Sequence, residues 1–391
     1  MMLFLGKDFN KKYSDTEFYT ILTNNLHYKN GLNIDTIGEL YFTELHKLSL
    51  WVNIGIYIAK ITIPDDASIY TELNKFKTNK FILDLDNKVL IEDFYIWKND
   101  ILCIKAIKQN GNALKYVKNQ TYKICKLAVQ QNGDALKYVI TQTSKLCKLA
   151  VQQNGSVLKY INNQTPEICT LAIKDYGFAL QFVKEQTEEL CILAVQMIGC
   201  ALEYVKEQTL NICKIAVQKD GATLKWVKEQ TEEICLLAVK QNGNALKWVK
   251  EQTEEICLLA VKQNINALQY VKEQTEDICK FAVKQNSYAL QYVKNQTEDI
   301  CKLAVKQDGY TLEYVYNQTD EICKLAVQQN GNALQYVEEQ TEEICILAIL
   351  ENSIALQFVK KQTEEICKVA ILQNIDTHSP RISKFAILSN N

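Results

Sequence analysis

The chain has 391 residues, of which 47% are hydrophobic and only three are proline, and its formal net charge is −2. This length exceeds what a single hydrophobic core usually holds, so we expect several domains or a linear array. Residues 1–98 contain 11 Lys against 13 acidic residues, and residues 99–391 contain 33 basic against 33 acidic residues. Neither region is basic overall, which argues against nucleic-acid binding.

The apolar stretches are too short to direct the chain into or across a membrane. The first residues, MMLFLGKDFNKK, lack the length of a secretion signal. The stretch from Leu48 to Ile63 is interrupted by Asn53 and Lys60 and falls short of the ~20 residues that a membrane span needs. We therefore predict a cytoplasmic protein with no membrane partner.

Residues 1–90 predict a small α+β module. Asn30-Gly31 and Gly38 indicate turns. Residues 40–43, 56–63 and 80–83 have the composition and alternation of strands, and residues 44–52 predict a short helix.

Three motifs in this module are similar to a known leader segment. They are GLNIDT (31–36), GELYFTE (38–44) and ITIPDDASIYTELNKFKTNKFIL (61–83). The segment resembles the N-terminal part of repeat proteins of giant, mimivirus-like viruses, where ankyrin repeats often follow it. The resemblance implies a viral origin and brings no known activity.

A second, enzymatic reading of the module stays open. His27, followed by Gly-Leu and then Gly-x-x-Tyr-Phe, is weakly similar to the NAD-binding segment of poly-ADP-ribose-polymerase-like transferases. That resemblance implies that His27 holds the ribose and Tyr41 stacks on nicotinamide, with Glu72 as a guess for the catalytic carboxylate. We favour the simpler interpretation, in which Tyr41 and Phe42 are core residues and no cofactor is bound.

The rest of the chain repeats a 22-residue unit from about residue 99 to residue 374. The stretch Thr231–Gln252 is followed by Thr253–Gln274, which differs from it at only three positions. A fixed period of this size predicts stacked repeats. We number the slots of the unit from its Thr, so that Cys235 is slot five, Gly243 slot thirteen and Trp248 slot eighteen.

Each unit predicts two short helices. Thr occupies slot one twelve times between positions 121 and 363 and is a good helix N-cap. Pro166 follows Thr165, which fits the first position of a helix. Apolar residues in slots four, five, seven, eight and nine predict helix A, ending near slot twelve. Helix B, of about eight residues, follows.

Two slots of the second half of the unit have predicted structural roles. Gly occupies slot thirteen in nine of twelve units, with Ile265, Ser287 and Ser353 as exceptions, and we expect it to end helix A in a left-handed conformation. Slot eighteen is aromatic in every complete unit, and we expect it to anchor the core. On that reading Trp248→Ala costs about 3–5 kcal/mol.

These helices are too short to be stable alone, so they must stack on one another. We predict a mainly α fold: an α-solenoid of about twelve two-helix repeats over residues 91–391, with a C-terminal cap helix near residues 379–388. Residues 90–97 would form a degenerate helix B before the first unit. The unit resembles helical repeats of unknown function in giant-virus proteins, through its Glu-x-Cys-x-x-Ala-Val-x-x-Asn-Gly-x-Ala-Leu-x-Tyr pattern.

Thirteen cysteines lie 22 residues apart, from Cys103 to Cys367, and Cys200 alone lies outside this spacing. Equivalent positions on stacked helices are ~8–10 Å apart, beyond the ~7 Å that a disulfide allows. No second Cys or His in the regular unit completes a metal site. We predict that these cysteines are small buried side chains in a reducing compartment, with Cys200 as a candidate exposed thiol.

Slots eleven to fourteen are polar in most units but apolar in two adjacent ones. The apolar residues there are Tyr176, Phe178, Met197, Ile198 and Cys200. Contiguous exposed apolar surface marks a contact site, so these five residues are the predicted partner-binding residues. A looser second group consists of Tyr288, Tyr310 and Ile354. Recent duplication with neutral drift is the alternative explanation. The predicted function is a non-enzymatic protein–protein interaction scaffold.

Overall fold

The computed structural model describes residues 3–23, 28–35, 40–51 and 54–377, and it describes no side chain for His46 or for residues 374–377. The chain forms two compact units. One comprises residues 1–197 and 204–206, and the other comprises residues 198–203 and 207–391. The leader and the first repeats belong to the first unit. The domain boundary near residue 90 stays a prediction.

The described residues of the leader form an antiparallel sheet with one α-helix and one 3₁₀-helix. Its strands are β1 (Leu3–Leu5), β2 (Phe18–Leu22), β3 (Gly31–Ile34), β4 (Leu40–Glu44), β5 (Tyr57–Thr62), β6 (Ser68–Thr71), β7 (Phe76–Thr78), β8 (Lys80–Leu83) and β9 (Val89–Leu90). The α-helix is α1 (Gly6–Lys12), and the 3₁₀-helix spans Leu45–Leu50. Strand order is β1-β6-β7-β4-β2-β5-β8-β3, with β9 paired to β5.

Four phenylalanines form the centre of the leader core: Phe9, Phe18, Phe42 and Phe76 are each at most 6% exposed, and every pair of their rings lies between 5.1 and 5.9 Å apart. The three strands predicted at residues 40–43, 56–63 and 80–83 are present as β4, β5 and β8. The helix predicted over residues 44–52 is the shorter 3₁₀-helix. Gly31 has φ +87°, as a turn requires, whereas Gly38 lies outside the described residues.

The repeats confirm the predicted helical array of 22-residue units. Helix A of successive units is α2 (Asp100–Gln109), α3 (Tyr122–Gln131), α4 (Ser144–Val151), α5 (Pro166–Asp175), α6 (Glu188–Met197), α7 (Leu210–Lys219), α8 (Glu232–Gln241), α9 (Glu254–Gln263), α10 (Glu276–Gln285), α11 (Glu298–Gln307), α12 (Asp320–Gln329), α13 (Glu342–Glu351) and α14 (Glu364–Thr377). Thr caps most of these helices as predicted, whereas Asn99 caps α2 and Thr297 makes no side-chain cap bond to α11. In the unit at Thr231, its Oγ1 accepts a hydrogen bond from the Ile234 N–H at 3.4 Å.

Segment B is a 3₁₀-helix of six residues, and not the predicted helix of about eight. It spans Gly111–Tyr116, Gly133–Tyr138, Gly155–Tyr160, Gly177–Phe182, Gly199–Tyr204, Gly221–Trp226, Gly243–Trp248, Ile265–Tyr270, Ser287–Tyr292, Gly309–Tyr314, Gly331–Tyr336 and Ser353–Phe358. The extended residue before it sets the tight turn. Asn242 (φ −149°) accepts a bond from the Asn244 N–H at 3.0 Å, which starts a segment of i to i+3 bonds.

The expected left-handed role of Gly in slot thirteen is wrong. Gly31 is the only glycine with positive φ among the described residues. At Gly243, a Cβ atom would lie 2.5 Å from the carbonyl oxygen of Ala260 in the next repeat. Glycine is therefore favoured in this slot because adjacent repeats approach each other closely there, although Ile265, Ser287 and Ser353 occupy it in three units.

The core is formed by slots four, five, eight, nine, fifteen, sixteen and nineteen, and not by the aromatic of slot eighteen. Leu246 is fully buried, whereas Trp248 is 40% exposed. The other slot-eighteen rings are half-buried. The predicted anchor is therefore wrong. Trp248→Ala should cost less than ~3 kcal/mol, because a side chain that stays partly in water loses less on truncation.

Hydrogen bonds from the Gln of slot twenty-two join each repeat to the next. Gln252 Nε2 donates to the carbonyl oxygens of Leu246 (3.3 Å) and Tyr270 (3.0 Å). Its Oε1 accepts from the backbone N–H of Lys272 at 2.8 Å. One side chain thus satisfies backbone groups in two successive repeats, a role that the sequence did not indicate.

The ends of the array differ from its middle. Before the first unit, 3₁₀-helices span Ile91–Asp93 and Tyr95–Lys98, and the Trp97 ring stacks on Tyr116 with centroids 5.2 Å apart. The predicted degenerate segment B is therefore present in shorter form. The cap helix predicted near residues 379–388 lies outside the described residues. No helix in the described part of the chain is long and apolar enough to cross a membrane.

Candidate partner-binding surface

The five predicted contact residues divide between the two compact units. Tyr176, Phe178 and Met197 belong to the first unit, and Ile198 and Cys200 belong to the second. Tyr176 is 39% and Met197 47% exposed, while the other three are half-buried. We call Tyr176, Phe178, Met197 and their neighbour Tyr204, all in the first unit, the apolar corner.

Three rings of the apolar corner are in contact. Tyr176 and Phe178 meet at 5.7 Å and 67°, and Phe178 meets Tyr204 at 5.8 Å and 88°. Phe178 occupies slot fourteen, and Tyr204 occupies slot eighteen of the next repeat. Edge-to-face pairs of this kind add about 0.5–1.5 kcal/mol beyond the area that they bury. The corner is therefore an ordered surface.

Tyr176 occupies the slot in which most repeats have a capping Asn. In that slot Asn154 accepts a hydrogen bond from the Ser156 N–H at 3.0 Å, but Tyr176 makes no such cap. The ring instead contacts Phe178 and stays partly exposed to solvent. The local fold thus loses a cap and gains an exposed ring.

Met197, in slot eleven, likewise replaces a side chain that accepts a hydrogen bond from the backbone in other repeats. In that slot Gln131 Oε1 accepts from the Gly111 N–H at 2.6 Å, and Asp175 Oδ2 accepts from the Gly155 N–H at 2.6 Å. A methionine thioether offers no comparable oxygen to the backbone. The helix carrying Met197 packs on the Gly177–Phe182 segment, so the exchange borders the aromatic cluster.

Ile198 and Cys200 begin the second unit. The Cys200 thiol donates a long hydrogen bond to Asp220 Oδ2 at 3.9 Å. Burial, with help from the Asp220 charge, raises the pKa of Cys200 above its ordinary value. A raised pKa makes this thiol less reactive than a freely exposed one.

The second predicted group lies along the second unit. Tyr288 is 36% and Ile354 53% exposed, while Tyr310 is half-buried. Tyr288 contacts Tyr314 at 6.1 Å and Tyr310 contacts Tyr336 at 6.0 Å. These are again pairs from slot fourteen to slot eighteen of the next repeat, so each ring of this group is partly covered by a neighbour.

A row of lysines above the slot-eighteen rings was missed in the sequence. The ammonium groups of Lys225 and Lys247 lie 4.8 and 5.0 Å from the ring centroids of Trp226 and Trp248. A Lys side chain keeps its charged ammonium group in water, so a ring beneath that group lies at the surface. The repeated Lys-aromatic dipeptide, visible in the sequence, was the signal that slot eighteen is not core.

The cysteines of slot five lie within the core as predicted. Cys257, for example, is 3% exposed, and its Sγ donates to Gln252 Oε1 at 3.7 Å. Burial raises the pKa of the buried slot-five thiols from Cys103 to Cys345 and brings three of them to about 11: Cys279, Cys301 and Cys323. Two cysteines are half-buried: Cys200, which is outside slot five, and Cys367, which lies at the end of the array. Within the described ranges, no group of three or more Cys, His, Asp or Glu is placed to hold a metal ion.

The leader contains a cleft of ≈ 580 Å³ that bears on the enzymatic reading. Tyr41, Trp51 and Lys75 are among its lining residues. The Lys75 ammonium lies 3.7 Å from the Tyr41 ring centroid and forms an ion pair with Glu72 at 3.4 Å. Tyr41 is 37% exposed, so it is not the core residue that we expected. His27 lies outside the described residues.

Comparison with known proteins finds one similarity. A family model described as a domain of unknown function (DUF4116) matches residues 99–142, 231–275, 253–297, 275–319 and 297–341. No curated protein and no solved structure matches the chain. These five matches, four of which overlap in series, make this a tandem repeat protein, similar in its array to that family.

Proposed function

We propose that the protein is a non-enzymatic scaffold that binds other proteins through its repeats, and that it is a giant-virus protein acting in the host cytoplasm. The viral origin is supported by the two resemblances of the leader and of the repeat unit. The scaffold role is supported chiefly by the apolar corner, where Tyr176 and Met197 take the place of residues that hydrogen-bond in other repeats.

Folding alone gives no reason for these two exchanges. Loss of an N-cap costs about 0.5–2 kcal/mol in a typical helix. The contact of Tyr176 with Phe178 contributes about 0.5–1.5 kcal/mol, which is similar to the cost of the lost cap, and it leaves 39% of Tyr176 and 47% of Met197 exposed to water, so folding gains little from the two exchanges. Large exposed apolar side chains with a lost hydrogen bond are typical of surfaces that bind a partner. A protein surface with its own apolar centre fits this chemistry.

Restoring the common residues tests the proposal without disturbing the fold. We expect Tyr176→Asn with Met197→Gln to keep or raise thermal stability, because both replacements return the hydrogen-bonding groups of neighbouring repeats. Proximity labelling by the full-length protein in host cells should lose a specific set of proteins in this variant. An unchanged set would remove the apolar corner as the binding surface.

The matched control removes another exposed aromatic in the same way. Tyr316 is 62% exposed in slot twenty, where many repeats have Lys. Tyr316→Lys therefore also restores the common residue, and its backbone bond to Gln296 does not depend on the side chain. We expect the labelled proteins to stay the same in this control.

NAD⁺ binding tests the non-enzymatic part of the proposal. The Lys75 ammonium occupies a face of Tyr41, where the resemblance would place a positively charged nicotinamide ring. Like charges repel there, so we expect no heat of binding when the full-length protein is titrated with NAD⁺. NAD⁺ binding that disappears in Tyr41→Ala would instead support the enzymatic interpretation of the leader.

A further inference from the structure

The balanced charge of the array hides a strongly basic segment. Residues 99–164, the first three repeats, contain ten Lys and two acidic residues, Asp100 and Asp134. Residues 165–391 contain 23 basic and 31 acidic residues. An excess of eight positive charges in one third of a compact unit attracts polyanions.

One row of these lysines lies where other repeats form ion pairs. The Lys of slot six pairs with the slot-three acid of the following repeat, as in Lys302–Glu321 and Lys324–Glu343, both at 2.7 Å. In the basic segment slot three is Lys123 and then Lys145. Lys126 therefore has a lysine at the position of its usual acidic partner, and it is exposed.

This substitution matters because like charges at a pairing position repel. Lys148, one repeat later, forms an ion pair with Glu167 at 2.6 Å and is half-buried. Lys123, Lys126 and Lys145 are all exposed instead. An external anion bound between them would relieve the repulsion.

A second row combines lysines with aromatic rings. The ammonium groups of three slot-seventeen lysines lie 4.5–4.8 Å from the neighbouring slot-eighteen centroids, in the pairs Lys115–Tyr116, Lys137–Tyr138 and Lys159–Tyr160. Lys137 also lies 5.9 Å from Tyr160 in the next repeat. All three rings are half-buried and so reach the surface. Positive charge and aromatic surface thus alternate along three consecutive repeats.

A surface depression of ≈ 500 Å³ lies between the first repeats of the segment. Its lining includes Lys118, Tyr122 and Ile140. Tyr122 is 50% and Ile140 71% exposed. Tyr122 occupies slot two, which is acidic in most units. At this slot too the basic segment lacks the usual negative charge, and an aromatic side chain takes its place.

We propose that residues 99–164 bind single-stranded nucleic acid. Phosphates would contact the exposed lysines, and unpaired bases would contact Tyr122 and the slot-eighteen rings. Grooves that combine positive charge with aromatic platforms bind single strands with little sequence preference. An acidic polypeptide would use the lysines but not the interleaved rings, and duplex DNA hides its base faces.

Fluorescence anisotropy on the full-length protein tests this with labelled oligothymidylate and oligouridylate of about 20 nucleotides. The test variant is Lys123→Glu with Lys145→Glu, which restores the acid that slot three has in most repeats and supplies Lys126 with its usual partner. We expect at least a tenfold loss of affinity at low salt, since it removes two positive charges and adds two negative ones. Lys123→Gln with Lys145→Gln should give a smaller loss in the same direction.

The matched control makes the same change of charge in the second unit. Lys240→Glu with Lys284→Glu alters two exposed lysines of slot ten, and we expect less than a twofold effect. Tyr122→Ser should weaken binding while leaving its salt dependence unchanged, because it removes a stacking surface and no charge. Circular dichroism checks that every variant is folded.

Three outcomes would overturn the proposal. One is the absence of oligonucleotide binding at low salt. Another is an equal loss in the two double-Glu variants, which would indicate non-specific attraction. The third is tighter binding of a polyglutamate peptide or of duplex DNA than of the single strand. None of these results depends on the apolar corner, so the scaffold proposal is tested separately.

Discussion

Residues 99–164 and residues 275–340 are two sets of three repeats with the same internal construction and opposite surfaces. In the first set, Gln142 bonds to the Tyr160 carbonyl at 2.8 Å, and in the second, Gln318 bonds to the Tyr336 carbonyl at 2.8 Å. Leu136 and Leu312 are equally buried. Yet the first set has ten Lys and two acidic residues, and the second has six Lys and ten acidic residues.

The difference teaches that folding and surface charge depend on separate slots of the unit. Buried slots and the backbone-bonding Thr, Asn and Gln keep the repeat in register whatever its charge. The exposed slots then decide whether neighbouring repeats pair opposite charges or place like charges opposite each other. Lys302 and Lys324 each contact acids in their own and the next repeat, whereas Lys126 lacks an acid at the equivalent position.

The largest effect that we predict is a loss of stability at alkaline pH, and it should be unequal between the two sets. Burial raises the pKa of Cys279, Cys301 and Cys323 to about 11. The folded state therefore keeps protons that the unfolded chain releases above pH ~9, so stability is full below that pH and falls as pH rises towards ~11. Urea unfolding across this window measures the fall.

Two triple variants sharpen this comparison. Replacing Cys279, Cys301 and Cys323 by Ala should remove more of the alkaline loss than replacing Cys103, Cys125 and Cys147, whose pKa values are raised less markedly. An alkaline loss that is the same in both variants and in the parent protein would assign it to groups other than the thiols.

Truncation of a buried leucine should act equally in the two sets. We expect Leu136→Ala and Leu312→Ala each to cost about 2–5 kcal/mol, because both side chains are fully buried and leave a cavity. Urea unfolding of the two variants measures the costs. A difference above ~2 kcal/mol would mean that the sets do not share one packing scheme.

Removal of the inter-repeat glutamine should have an intermediate effect. Gln142→Ala leaves the Tyr160 carbonyl and the Asn162 N–H without their partner, and Gln318→Ala does the same to Tyr336 and Glu338. We expect a cost of about 1–3 kcal/mol in each case, with faster amide exchange at residues 162 and 338. Unchanged exchange there would contradict the assigned role.

The smallest effects should have opposite signs in the two sets. Lys145→Glu should stabilise by a few tenths of a kcal/mol, because it gives Lys126 the acid that other repeats provide. Glu321→Lys should destabilise by up to ~1 kcal/mol, because it replaces an ion pair to Lys302 by a like-charged pair. Both shifts should shrink at high salt. A change in stability of the same sign in both variants would show that charge pairing between slots three and six does not determine these effects.

Much of helix A was predictable because its signals are local. Thr231 caps, Pro166 fits the first turn, and the apolar spacing of slots four to nine repeats with the helical period. Segment B was not predictable in detail, since six residues do not distinguish a period of 3.0 from one of 3.6. The role of Gly243 depends on a carbonyl group in the next repeat, which no single unit reveals.

The candidate surfaces were predictable in unequal measure. Tyr176 and Met197 were identified as departures from the common unit, and both are exposed. The basic segment does not appear in the charge of residues 99–391 as a whole, because the acidic residues of the later repeats balance it. Counting Lys and acidic residues repeat by repeat would have revealed it without any structure. The exposure of Trp248 required the structure, since aromatic residues at helical spacing usually indicate core.

Because the glutamine of slot twenty-two makes the same bonds at successive junctions, whole repeats can be added or deleted as units. Each of its bonds joins a fixed slot of one repeat to a fixed slot of the next, so the junction after Gln252 is equivalent to the junction after Gln230. Unequal exchange between near-identical units such as Thr231–Gln252 and Thr253–Gln274 adds or deletes a whole repeat and leaves every junction intact. The number of repeats, and with it the area of exposed surface, can therefore change in a single genetic step.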